Sequence, residues 1–312
     1  MAPVEIPVSQ YEHPRLNERF YKMDPSEYID TRLRSLVLTV SDTVDHDLLW
    51  SQEINYRDMR MSGVVIDRAK LDQYATLEST VLLHHSCETM LRLYLAHAFR
   101  AECPWIQLSS LISAREFKLA IRELGRELDD PVRQADVLEV FSYASDPSGF
   151  PGLSEEAWTS HRDGLVRLLR VAIEEVGSAA NAYNAAKHGL AVGPGETAIS
   201  IGPAGGAPMF TMNGPSLSYL EMSNGKRGRH WQMTSRWVDP LRNMGLTFLV
   251  KERIKGLWNV ARLFRGLSTE PPRLYPIELE HVESLLRQGR GSGGTSFSEH
   301  IAKPSEREND EA

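Results

Sequence analysis

Asn181-Ala182-Tyr183-Asn184-Ala185-Ala186-Lys187-His188-Gly189 marks the point where a long helical pattern stops and a strand-like pattern begins. Upstream, Leu165, Leu169, Ala172, Val176, Ala179 and Tyr183 recur at steps of three and four, the apolar stripe of an amphipathic helix. Ser154-Glu155-Glu156 supplies a capping hydroxyl and first-turn acids for its start, and Gly189 suits its end. At about 100° per residue, Asn181, Asn184 and His188 form a second, polar stripe roughly 100–160° from the apolar one. Lys187 projects towards the apolar side near the helix end, where its stem can be covered while its amine reaches water.

A second long pattern runs from about Asp67 to Glu102 and stops before Cys103-Pro104. Thr80, Leu83, Cys87, Leu91, Tyr94 and Ala98 make its core face. His85, Glu88 and Arg92 make a flanking polar stripe at i, i+3, i+7. Antiparallel packing with a common flank would gather Glu88, Arg92, Asn184 and His188 into one cluster of charge-assisted hydrogen bonds. The alternative is that each stripe is a solvated edge and Glu88–Arg92 an i,i+4 ion pair. Asn184 and Gly189 are also what an ordinary helix terminus uses.

Around these helices, residues 1–25 read as a flexible, extended N-terminal arm. Two helical patterns occupy Tyr28 to about Arg60, and further helices cover roughly Ser109–Leu128 and Pro131–Ala144. Between about 194 and 238, Thr197–Ile201, Met209–Met212, Leu217–Met222 and Trp231–Trp237 read as short strands separated by glycine-rich turns, with Asn224-Gly225 as a hairpin turn. Asp239-Pro240 opens a helix to about Phe264, and a short helix covers Ile277–Leu286. Residues 288–312 have the composition of a disordered tail. The expected fold is mainly α: a helical bundle over 26–287 with a small antiparallel β insertion after the second long helix.

The chain has 312 residues, 25% of them charged, and a net charge of −7. That balance excludes a generally basic nucleic-acid surface but leaves room for a local basic patch. Lys226, Arg227 and Arg229 form one on the expected hairpin tip beside Trp231, where they could contact phosphates or act as a solvated turn. Tyr219, Trp231 and Trp237 are candidate stacking aromatics, although strand aromatics more often serve a core. The two cysteines, Cys87 and Cys103, belong to no CxxC pair, so reduced thiols in a cytoplasmic protein are expected. No apolar run reaches membrane-span length, and Met1–Gln10 has no signal-peptide character.

Other signals are incomplete. His84-His85-Ser86-Cys87 puts adjacent imidazoles about 100° apart and has no second pair to close a tetrahedral site. His281-Val282-Glu283 lacks the Cys-x-x-Cys of a zinc deaminase. The glycines of 202–207 are followed by no Gly-Lys-Ser/Thr, and Gly214-Pro215-Ser216-Leu217-Ser218 lacks the closing glycine of a nucleophile elbow. No metal or cofactor is expected.

A long helix with a flanking polar stripe, and a second ending in Asn184-x-x-Lys187-His188, resembles the HEPN superfamily over about residues 66–190. The resemblance implies a helical bundle, commonly dimeric. In catalytic members it implies a metal-independent ribonuclease with an Arg-x4–6-His motif. His188 and Asn184 match; Tyr183 stands where the arginine would. Arg92-x4-His97 matches the spacing, but on the other long helix, with side chains about 140° apart. Two expectations result. One is a non-catalytic interaction module with an RNA or protein partner. The other is an RNA-cleaving defence or toxin-type enzyme using His188 as acid/base, Lys187 or Arg92 as the cation, and Asn184 and Glu88 alongside.

Overall fold

The computed structural model describes residues 8–111, 113–150, 153–178, 180–187, 192–201, 210–225, 228–270, 276–288 and 296–300. The fold is mainly α, with a small antiparallel sheet after the second long helical stretch. The helices are α1 (His13–Phe20), α2 (Pro25–Val40), α3 (His46–Ser51), α4 (Arg68–Ala98), α5 (Pro104–Ser110), α6 (Ala114–Glu127), α7 (Pro131–Ser142), α8 (Glu155–Ser178), α9 (Ala180–Lys187), α10 (Pro240–Phe264) and α11 (Leu279–Gln288). Packing divides the chain, read from sequence as one helical domain over 26–287, into two units. The first is built from 1–31, 85–177 and 246–284, the second from 32–84, 178–245 and 285–312.

In the first unit, Leu91, Tyr94, Leu128, Leu165, Leu169, Leu257 and Trp258 are buried, and the Tyr94 and Phe141 rings stack at 5.8 Å. Local chemistry sets the helix starts. Ser154 Oγ accepts the Ala157 N–H, and Asp130 caps α7 through the Val132 N–H with Pro131 in its first turn. The N-terminal stretch is not an extended arm throughout. It is helical over His13–Phe20, and Phe20 and Tyr21 are buried against Trp258 at 4.9 Å each. Burial of two aromatics is what holds so short a helix.

The second unit holds both sheets. The sequence pattern expected helix up to Arg60; instead β1 (Ile54–Tyr56) and β2 (Met59–Met61) form a hairpin. Arg57, with φ 53°, makes the reversal between them. The larger sheet runs in the order β3 (Val192–Ile201), β4 (Phe210–Gly225), β5 (Gly228–Trp237) and β6 (Ser296–His300), all antiparallel. The separate strands expected at 209–212 and 217–222 are one strand, because Gly214 at φ +135° lets the chain bend without leaving the ladder. Asn224 and Gly225 are paired strand residues, opposite Arg229 and Gly228, and not the turn itself. Within the tail expected to be disordered, Ser296–His300 is strand β6, its backbone held by pairing to β5.

Of the helical pattern read over 154–189, Glu155–Ser178 and Ala180–Lys187 are helical. Ala182 and Ala185 bury against Tyr219 of β4, while Tyr183, read as the last residue of the apolar stripe, is half-buried.

Candidate functional site

The motif helix is docked through Asn181. Its amide nitrogen donates to Glu221 Oε2 at 2.6 Å, while Gln232 and Thr234 donate to Glu221 Oε1 at 2.9 and 2.6 Å. Burial alone would raise the Glu221 carboxyl; the three hydrogen bonds outweigh it and hold the group below the ordinary glutamate value. Asn181 is thus an anchor between α9 and the sheet. Asn184 and Lys187 are exposed. Tyr183 lays its ring on His84. His188, the proposed acid/base, lies outside the described residues, as do Lys226 and Arg227.

Glu88 and Arg92 belong to the first unit, Asn184 and Lys187 to the second. Glu88 Oε1 accepts from Arg92 Nε at 2.8 Å and from a terminal guanidinium nitrogen at 2.7 Å. Arg92 also donates to the Leu111 carbonyl, and its guanidinium sits 4.0 Å from the centre of the Phe117 ring. These contacts tie α4 to α6 and the loop before it. The ion-pair alternative therefore describes this stripe, and its cation is already spent on packing.

Two other histidines, His97 half-buried and His161 buried, are held neutral. His97 donates from Nδ1 to the Leu93 carbonyl and accepts the Tyr21 hydroxyl at Nε2, both at 2.7 Å. Burial pushes its imidazole down to about 4, the neighbouring Arg265 charge acting in the same direction. His161 accepts the Ile277 N–H at Nδ1, so its proton is on Nε2 and is donated to Ser142 Oγ at 2.9 Å. That tautomer cannot also take the serine proton, so Ser142–His161 is no nucleophile–base couple. Burial, reinforced by Arg253, pushes His161 to about 4 as well. Among the described residues no group of three or more His, Cys, Asp or Glu is placed to hold a metal.

One surface that the sequence reading named only in part remains. In β4 and β5, Leu220 faces Met233 and Met222 faces Trp231 as cross-strand partners. All four, with Phe297 of β6, are 42–54% exposed. The alternate residues of β4, Leu217 and Tyr219, are buried, and Tyr219 packs against α9. α9 thus covers the Tyr219 side of the sheet, while the opposite side, buried at Ser216, Ser235 and Trp237, leaves these five apolar side chains exposed. Trp231 is one of the expected stacking aromatics; Tyr219 and Trp237 are core. Arg229 shares the face of Trp231 and Met233 and is exposed, so an arginine stands at that end of the row. The alternation Leu220-x-Met222 and Trp231-x-Met233 carried this signal, but alternation alone cannot say which face is covered.

The β1–β2 hairpin repeats the theme, with Ile54, Tyr56, Met59 and Met61 on one face, each about half exposed. Among the described residues no helix is long and apolar enough to cross a membrane. No protein-family model, curated protein or solved structure matches this chain.

Proposed function

We propose that the chain is a non-catalytic, cytoplasmic interaction module, HEPN-like in its bundle, that docks an amphipathic helix of a partner protein bearing acidic residues. The observation that carries this is the open face of β4–β5–β6. Five large apolar side chains, each about half exposed, present on the order of 400 Å² together. That is the size at which an exposed apolar patch marks an interaction site. Leu220, Met222 and Met233 cannot stack on bases, which favours a protein surface over a single-stranded nucleic acid. Arg229, with Lys226 and Arg227 beside it in sequence, supplies positive charge at one end and selects acidic residues there. Tyr183 in the arginine position supports the non-catalytic reading, because its ring packs on His84 and brings no permanent cation.

A photo-cross-linking residue at position 231, expressed in the native cell, tests this. The expected product is a protease-sensitive adduct with a different protein, suppressed by Leu220→Glu and by Arg229→Glu. A nuclease-sensitive adduct, an adduct only with a second copy of this chain, or no adduct overturns the assignment. The exposed Asn184 and Lys187 at the end of α9 favour a second reading, an RNA-cleaving enzyme using His188. Cleavage of structured RNA by the purified chain, abolished by His188→Ala, would establish it in place of the first.

A further inference from the structure

A cavity of about 360 Å³ opens in the first unit where α4 ends. Its walls come from the last residues of α4 and the loop after it, from α7, and from the end of α10. Ala98, Val140, Val260, Ala261 and Phe264 give it an apolar lining. The volume lies at the small end of the ~300–1,000 Å³ typical of ligand sites, which are apolar with a few fixed polar groups.

The charges around it decide what it takes. Glu139 is paired with Arg100 at 2.8 Å, and Asp136 with Arg133 at 3.2 Å. Glu102 lies 3.2 Å from His13. Arg265 differs: its two terminal nitrogens donate to the carbonyls of Glu102 and Ala101 at 2.7 and 2.6 Å, and no carboxylate is among its partners in the described residues. Two neutral acceptors fix the guanidinium in place and leave its charge uncompensated at the cavity wall. His97 adds no charge, because both ring nitrogens are occupied by neutral partners.

We infer that this cavity binds a small amphiphilic anion, a compact apolar body bearing one carboxylate- or sulfonate-type group, with the body against Val140, Ala261 and Phe264 and the anionic group at Arg265. Of the carboxylates that line it, Glu139 is held by Arg100 and Asp136 by Arg133, and Glu102 bonds His13, so none of them is bonded to Arg265. The proposal concerns the first unit alone and does not depend on the partner-docking reading of the sheet.

Fluorescence titration of the full chain with 8-anilinonaphthalene-1-sulfonate, and with its uncharged parent N-phenyl-1-naphthylamine, tests it. The sulfonate is expected to bind at one saturable site that Val140→Trp removes by filling the cavity. Arg265→Gln should weaken the sulfonate at least fivefold and leave the uncharged amine unchanged. Circular dichroism establishes that each variant is folded, and Ala98→Leu is the second filling variant if Val140→Trp is not. Sulfonate binding that survives both filling variants places the dye elsewhere and overturns the site. Equal affinities for the two dyes, both unmoved by Arg265→Gln, overturn the anion assignment.

Discussion

The ring of Tyr183 lies over the imidazole of His84, with centroids 4.0 Å apart and planes 15° from parallel. His84 is buried in α4, so the stack pins α9 to α4 within the second unit. Tyr183 is therefore a packing element. Tyr183→Ala should lower unfolding free energy by about 1–3 kcal/mol, the loss of a half-buried ring and its aromatic contact. Urea denaturation followed by circular dichroism measures it; a change within ~0.5 kcal/mol would mean that the stack contributes nothing.

Glu221 joins α9 to the sheet through a carboxylate that accepts three hydrogen bonds. Thr234 is buried, so Glu221→Ala leaves a buried hydroxyl without its acceptor and should cost about 1–3 kcal/mol. Asn181→Ala, at an exposed site, should cost about 0.5–1.5 kcal/mol. The folded-state carboxyl is depressed, so its contribution is present above the unfolded glutamate range and is lost as pH falls through the lower folded value. Chemical denaturation of wild type and Glu221→Ala at pH 7 and in acid should show the gap between them closing.

Much of the helical framework was legible in the sequence because apolar spacing repeats over many turns. Leu165, Leu169, Ala172 and Val176 are buried as their spacing requires, and so are Leu83, Cys87 and Leu91. The face that α9 buries was not legible. Ala182 and Ala185 suit a helix at any phase, and what turns them inward is Tyr219, more than thirty residues later in the chain. Nor was the role of Asn181, whose partner Glu221 is 40 residues away. The candidate surface was half visible: alternation at Leu220, Met222, Trp231 and Met233 announced strands, but only the packing of α9 decides which face stays open.

His97 and His161 make stability depend on pH, which a histidine equally solvated in both states would not do. Each titrates at about 4 when folded, against about 6.5 in the unfolded chain. Between those values the unfolded state binds more protons, so stability rises with pH and is lost as pH falls from about 6.5 to about 4. The slope is at most about 1.4 kcal/mol per pH unit for each histidine. Melting temperatures recorded from pH 7 to pH 4.5 should fall steadily. A flat profile would show that these imidazoles are solvated when folded.

Gly164 sits in α8 where the chain leading into α11 crosses it. There the Ile277 N–H donates to His161, and the Leu279 N–H donates to Ser160 at 3.4 Å. A Cβ at position 164 would lie 2.7 Å from the Ile277 carbonyl oxygen and 3.2 Å from the Leu279 nitrogen. Those are backbone atoms, which cannot swing aside as a flexible side chain can. Gly164→Ala gains helix propensity worth about 1 kcal/mol, yet it must push the 277–279 segment away and loosen both hydrogen bonds. Overpacking of this kind costs about 1–3 kcal/mol, and a weakened buried hydrogen bond adds about another. The clash should outweigh the propensity, leaving the variant about 1–3 kcal/mol less stable, with faster amide exchange at Ile277 and Leu279. A stabilised Gly164→Ala chain with unchanged exchange would mean that the 277–279 segment does not press on α8.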